Sequence, residues 1–156
     1  VVADRLAADA VRDFSLPDTH GVERRLSALR GRPVALVFFP FAFTAVCTGE
    51  LRELSAGYPA VREAGAEVLA ISTDTRYALR VFAETEGFVF PLLSDFWPHG
   101  AVAQRFHAFD AGRGCATRAT VLLDAEQRIV SVDRARISAT RDITAELARL
   151  AGRSGV

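Results

Sequence analysis

Residues 33–39 read Pro-Val-Ala-Leu-Val-Phe-Phe, apolar without a break and rich in β-branched and aromatic side chains. Such a run has no polar face to offer to water. It predicts a strand buried on both faces of its sheet, and a sheet of that kind needs chain packed above and below it. The run meets Pro40, and the stretch that follows is irregular. Then Leu51, Leu54, Tyr58 and Val61 recur at three- and four-residue steps, which predicts a helical face that begins near Cys47. Pro59 is expected to kink or end that helix.

The rest of the chain supplies the layers. Residues 14–16 and 22–26 flank the turn-forming residues 17–21 and predict a small N-terminal hairpin. Residues 67–72 predict a second central strand, and residues 76–86 a helix with Leu79, Phe82 and Ala83 inward and Gly87 closing it. A short strand is expected at 89–93, a loop at 94–98 and a short helix at 99–106. Residues 119–123 and 128–133 predict a hairpin through 124–127, and residues 140–151 a last helix with Ile143, Leu147 and Leu150 inward. No repeat or linker divides the 156 residues, so residues 1–156 are expected to form one domain. Crossovers mixed with hairpins imply an α/β sandwich, a mixed central sheet flanked by helices.

Composition narrows the function. Nineteen basic and nineteen acidic residues cancel, so there is no basic excess for nucleic acid and no polybasic membrane signal. Every basic residue is Arg, which excludes a lysine Schiff base. Two cysteines, Cys47 and Cys115, are too few for a disulfide scaffold or a four-cysteine zinc site. The longest apolar run, eleven residues with two prolines, is too short to span a bilayer. Asp4, Arg5 and Asp9 interrupt the start of the chain where a signal peptide is apolar, so a cytoplasmic protein without membrane partners is expected. His20, His99 and His107 show no ligand spacing, and no metal or cofactor is expected. No histidine pattern points to a base beside Cys47 for a Cys-His hydrolase.

Cys47 stands where a buried strand ends and a helix begins, the place where open α/β sheets bind ligands. A lone cysteine there is either a small buried hydrophobe or a reactive thiol. A free thiol with a pKa of about 8.5 needs roughly 3.4 kcal/mol of differential stabilisation to reach about 6. A helix N-terminus supplies only about 0.3–1 kcal/mol. A second cation is required, and in a chain without Lys it is an Arg or a protonated His.

Pro40-Phe-Ala-Phe-Thr44-Ala-Val-Cys47 resembles the P-x-x-x-[T/S]-x-x-C pattern of the peroxiredoxins. Asp13-Phe14-Ser15-Leu16 and Phe90-Pro91-Leu92-Leu93-Ser94-Asp95 resemble two further segments of that family, and Arg118 falls where the family places an active-site arginine. Residues 39–44 and 94–102 look like the one-cysteine alkyl hydroperoxide reductase E type of actinobacteria. The resemblance implies a thioredoxin-like fold and a thiol-dependent peroxidase. Cys47 would be the nucleophile that becomes a sulfenic acid, and Arg118 the cation. Thr44 would hold the peroxide and Pro40 would shield the thiolate. Glu50 either orients Arg118 or complements the helix dipole. Phe39, Phe41 and Trp97 would line the substrate pocket, Trp97 alternatively lying at a dimer contact or in the core.

The chain departs from the family at Arg12, where a proline is usual, and the common positions of a resolving cysteine are empty. The resemblance therefore implies a one-cysteine cycle resolved by an external thiol, either mycothiol with a glutaredoxin-like protein or thioredoxin, in a homodimer. Cys115 is expected to pack at the start of a strand. Its alternative role is a disulfide with Cys47, which needs Cα atoms within about 7 Å. A peroxide sensor with little turnover is the other alternative.

Overall fold

The computed structural model describes residue 11, residues 13–134 and residues 140–154. Strands β1 (Ser15–Pro17) and β2 (Glu23–Arg25) form the antiparallel N-terminal hairpin, followed by a 3-10 turn at Leu26–Leu29. The main sheet contains β3 (Val34–Phe38), β4 (Glu67–Ser72), β5 (Leu92–Ser94), β8 (Ala119–Leu123) and β9 (Ile129–Asp133) in the order β5-β4-β3-β8-β9. β3 runs parallel to β4 and antiparallel to β8, so the sheet is mixed. Helices α1 (Ala45–Glu63), α2 (Arg76–Glu86), α3 (Ala101–Arg105) and α4 (Thr140–Ser154) cover it. The architecture is the expected α/β sandwich.

All five residues of β3 are buried, and their alternation feeds two cores. Ala35 and Val37 face Leu51 and Leu54 of α1, Phe82 of α2 and Leu147 of α4. Val34, Leu36 and Phe38 face Leu16 and Leu26 near the hairpin and Phe106 after α3. Each buried Leu or Phe contributes roughly 1.5–3 kcal/mol, so β3 is fixed from both sides.

Three boundaries depart from expectation. Pro59 lies inside α1, which runs on to Glu63. A proline inside a helix costs about 3 kcal/mol. Tyr58 and Val61 are buried around it, and the Tyr58 hydroxyl donates to Glu67 Oε1 at 2.6 Å, which holds the last turn to β4. The third short strand begins after Pro91, at Leu92, because Val89 is exposed and only Leu92, Leu93 and Ser94 pair with β4. α3 is shorter than 99–106 and starts after Gly100, whose φ is +78° and which has no room for a Cβ beside the Phe109 ring.

A further hairpin was not foreseen: β6 (Phe109–Asp110) pairs antiparallel with β7 (Cys115–Ala116). Two-residue strands carry no readable period. The Asp110-Ala-Gly-Arg-Gly114 turn between them is the sequence signal that marks it.

Candidate active site

β3 ends at Phe38, and Phe39 keeps the parallel register by donating its N–H to Ile71 O at 3.0 Å. The chain then leaves the sheet through residues 40–44. Thr44 is the residue before α1, with extended backbone, and the Thr48 N–H donates to its carbonyl at 2.9 Å. That is the first rung of the helix. The amides of Ala45, Val46 and Cys47 precede the ladder, so Cys47 lies in the turn where a helix favours an anion. Cys47 is 2% exposed and carries a free thiol.

A pocket of about 860 Å³ opens here. Pro40, Phe41, Thr44 and Cys47 line it from the loop and the start of α1, and Thr117 and Arg118 from the segment before β8. Arg118 immediately precedes β8, and β8 is paired with β3 along its length, so sheet register brings the arginine to the loop that carries the cysteine. Arg118 thus brings a guanidinium to the pocket that Cys47 lines. Its Nη1 lies 3.7 Å from Glu50 Oε1. Glu50 projects from α1 one turn after Cys47 and is buried, and its Oε2 has no hydrogen-bond partner among the described residues. The carboxylate therefore faces the guanidinium from the core side.

The loop has its own constraints. Thr44 does not cap the helix with its side chain; its Oγ1 donates to Phe41 O at 3.1 Å. Phe43 has φ +68°, a left-handed conformation that costs a bulky residue about 1–2 kcal/mol. Its ring packs on Phe82 with centroids 5.0 Å apart.

Two expected pocket residues lie elsewhere. The Phe39 ring is fully buried on Phe82, because the alternation of β3 continues one residue further and turns the ring into the core. Trp97 is 70% exposed in the turn after β5 and stacks edge-on against His99. The pocket instead gains His107, Asp110, Arg113 and Arg134. Arg113 lies over the Phe41 ring, and Arg134 donates to the carbonyls of His107 and Phe106. His107 places an imidazole on the pocket that no sequence spacing had indicated. Among the described residues no cluster of three His, Cys, Asp or Glu side chains is gathered for a metal, and no helix is long and apolar enough to cross a membrane.

Cys115 is 1% exposed, on β7 opposite Asp110. Burial pushes its thiol pKa up. Arg113 opposes that effect, while Asp110, Asp74 and Cys47 add to it.

A mixed sheet between helices, with a cysteine in the first turn of the helix after a central strand, defines an α/β protein of thioredoxin-like architecture. Residues 7–132 match the AhpC/TSA family. The chain is 43% identical over 113 residues to alkyl hydroperoxide reductase E of Mycobacterium tuberculosis, covering 72% of this chain and 74% of that one. It is 37% identical over 155 residues to a putative peroxiredoxin of the same organism, covering 94% and 97%. The crystal structure of peroxidoxin BcpB from M. tuberculosis superposes with a TM-score of 0.81 at 34% identity, over 90% of this chain and 94% of that one. The chain belongs to the AhpC/TSA family, the peroxiredoxins.

Proposed function

We propose that this peroxiredoxin, a thiol-dependent peroxidase by family, reduces hydrogen peroxide and organic hydroperoxides through Cys47. The observation that carries the assignment is that Cys47, in the first turn of α1, and Arg118 line one pocket. The Cys47 thiolate attacks one peroxide oxygen. An S–O bond forms, the O–O bond breaks, and the sulfur becomes a sulfenic acid. The departing oxygen takes a proton and leaves as an alcohol or as water. Arg118 stabilises negative charge first on sulfur and then on that oxygen. Thr44 aligns the peroxide, Pro40 keeps water from the thiolate without offering a donor, and Glu50 aims Arg118. An apolar lining that includes Phe41 and Val46 favours organic peroxides over hydrogen peroxide.

An external thiol then displaces hydroxide as water and forms a mixed disulfide with Cys47, and a second thiol releases the enzyme. A low-molecular-weight thiol such as mycothiol, with a glutaredoxin-like partner, suits a sulfur that is reached through a pocket; thioredoxin is the alternative reductant. The setting is the reducing cytoplasm, where both thiols stay free. The functional unit is a homodimer of single-domain chains. The support for a dimer is the set of exposed apolar side chains Phe43, Val46, Tyr77, Phe96 and Trp97, which follow the carboxyl ends of β3, β4 and β5.

A second cycle, through a Cys47–Cys115 disulfide, is favoured by one observation: Ala116, next to Cys115 on β7, lines the same pocket as Cys47. Peroxide consumption with each candidate thiol separates these readings. Sustained turnover with mycothiol or thioredoxin by the Cys115→Ser variant supports the one-cysteine cycle. Turnover that disappears in that variant assigns resolution to Cys115. Cys47 oxidation without turnover by any thiol indicates a sensor.

A further inference from the structure

Nothing in the sequence marks Asp74, on the connection between β4 and α2. In the structure its Oδ2 accepts a hydrogen bond from the Ala42 N–H at 2.9 Å and another from Ser72 Oγ at 2.7 Å. Its own N–H donates to Ser72 Oγ at 3.2 Å, and its carbonyl accepts from Ser94 Oγ at 2.5 Å. The Asp95 N–H donates to Ser72 O at 2.8 Å. Asp74 is thus held from the ends of two strands, its carboxylate by Ser72 of β4 and its carbonyl by Ser94 of β5, and the carboxylate reaches across to the loop that follows a third.

That reach is singular. Among the described residues, the Ala42 bond is the one hydrogen bond that ties residues 40–44 to an element other than their own loop and α1. The residue after Ala42 is Phe43, held at φ +68°, a conformation that persists only where its surroundings impose it. Residues 40–44 carry Pro40 and Thr44, two of the groups that face the peroxide. A carboxylate opposes the formation of a thiolate nearby, so charge alone gives no reason for an acid at this place.

We propose that Asp74 is a positioning residue of the peroxide site: its carboxylate anchors the Ala42 amide and thereby sets Pro40 and Thr44 against Cys47. This inference rests on Cys47 as the nucleophile. Bonds to a charged acceptor are short and directional, which suits a group that must fix a loop without touching the substrate. Misplacement of reacting groups by about 1 Å typically costs on the order of 100-fold in rate.

The test is the rate of stoichiometric Cys47 oxidation by tert-butyl hydroperoxide, followed by stopped flow across pH, in the wild type, Asp74→Ala, Asp74→Asn and Ser72→Ala. The informative quantity is the plateau rate at high pH, where the thiol is fully ionised and only geometry differs. Asp74→Ala is expected to lower the plateau about 30-fold. Asp74→Asn, whose Oδ1 still accepts from Ala42, is expected to stay within about threefold of the wild type. A role confined to joining β4 to α2 would lower thermal stability and leave the plateau rate of the folded molecule unchanged. The proposal is overturned if Asp74→Ala stays within about threefold of the wild type, or if Asp74→Asn is as slow as Asp74→Ala. Should Asp74→Ala not fold, Ser72→Ala decides, because it removes only the hydroxyl that steers the carboxylate. A plateau about fivefold lower supports the proposal and an unchanged plateau overturns it. A wild type whose Cys47 does not react would instead refute the assignment of the nucleophile.

Discussion

Cys47 and Cys115 are equally buried, yet their surroundings are opposite. Cys47 lies in the first turn of a helix, beside unladdered amides and in a pocket that Arg118 also lines. Cys115 lies on a two-residue strand opposite Asp110, with burial and two carboxylates pushing its pKa up. Burial and carboxylates penalise the anion at Cys115, whereas a helix N-terminus and an arginine adjoin Cys47. Burial alone does not distinguish the two sulfurs; what surrounds them does.

The largest effect that sharpens this contrast is loss of Cys47 itself. Cys47→Ser should reduce peroxide consumption by more than about 1000-fold, because a hydroxyl at neutral pH is not ionised. Removing the cation comes next. Arg118→Ala should lower the rate with organic peroxides about 100- to 1000-fold, as for loss of one preorganised donor to developing charge. Arg118→Ala at the wild-type rate would leave Arg118 as a packing residue.

Cys115→Ser is expected to change the peroxide rate by less than about twofold. In the wild type, limited iodoacetamide should label Cys47 before Cys115. The Cys115 thiol has a raised pKa, so it stays protonated to higher pH than a free thiol. Equal labelling of the two cysteines at neutral pH would break the comparison.

The smallest effect lies away from both thiols. Burial raises the Asp18 pKa, but bonds from Arg24 and from the His20 and Val22 amides outweigh it, so the group is held below the usual carboxylate range. A lowered folded-state pKa contributes stability that is complete above the unfolded value of about 3.9 and is lost as pH falls through the folded value. Asp18→Asn should therefore lower Tm on the order of 5 °C at pH 7, with the gap closing below pH 4, and leave the peroxide rate unchanged. A changed rate would show that the hairpin communicates with the pocket.

The part of the site that carries Cys47 was legible in the sequence because it is contiguous. Pro40, Thr44 and Cys47 fall in eight residues between a buried strand and a helical face. Arg118 was legible only through the family resemblance, since the β3–β8 pairing that delivers it is antiparallel and distant in sequence. His107, Arg113 and Arg134 escaped notice because a hairpin of two-residue strands and a strand end bring them in, and neither has a period. Phe39 was misplaced for a different reason. In an all-apolar strand alternation is invisible, so the sequence does not say which face a ring takes. Pro59 shows the converse error, where a local signal was overridden by the burial of Tyr58 and Val61 on either side.

The most direct test of the account is to map the first oxidation product. One equivalent of tert-butyl hydroperoxide is added to the fully reduced protein, and sulfenic acid is trapped with dimedone and located by peptide mass spectrometry. The account predicts one adduct, on Cys47, with Cys115 recovered as a free thiol. An adduct on Cys115, or quantitative conversion to a Cys47–Cys115 disulfide before trapping, would contradict it.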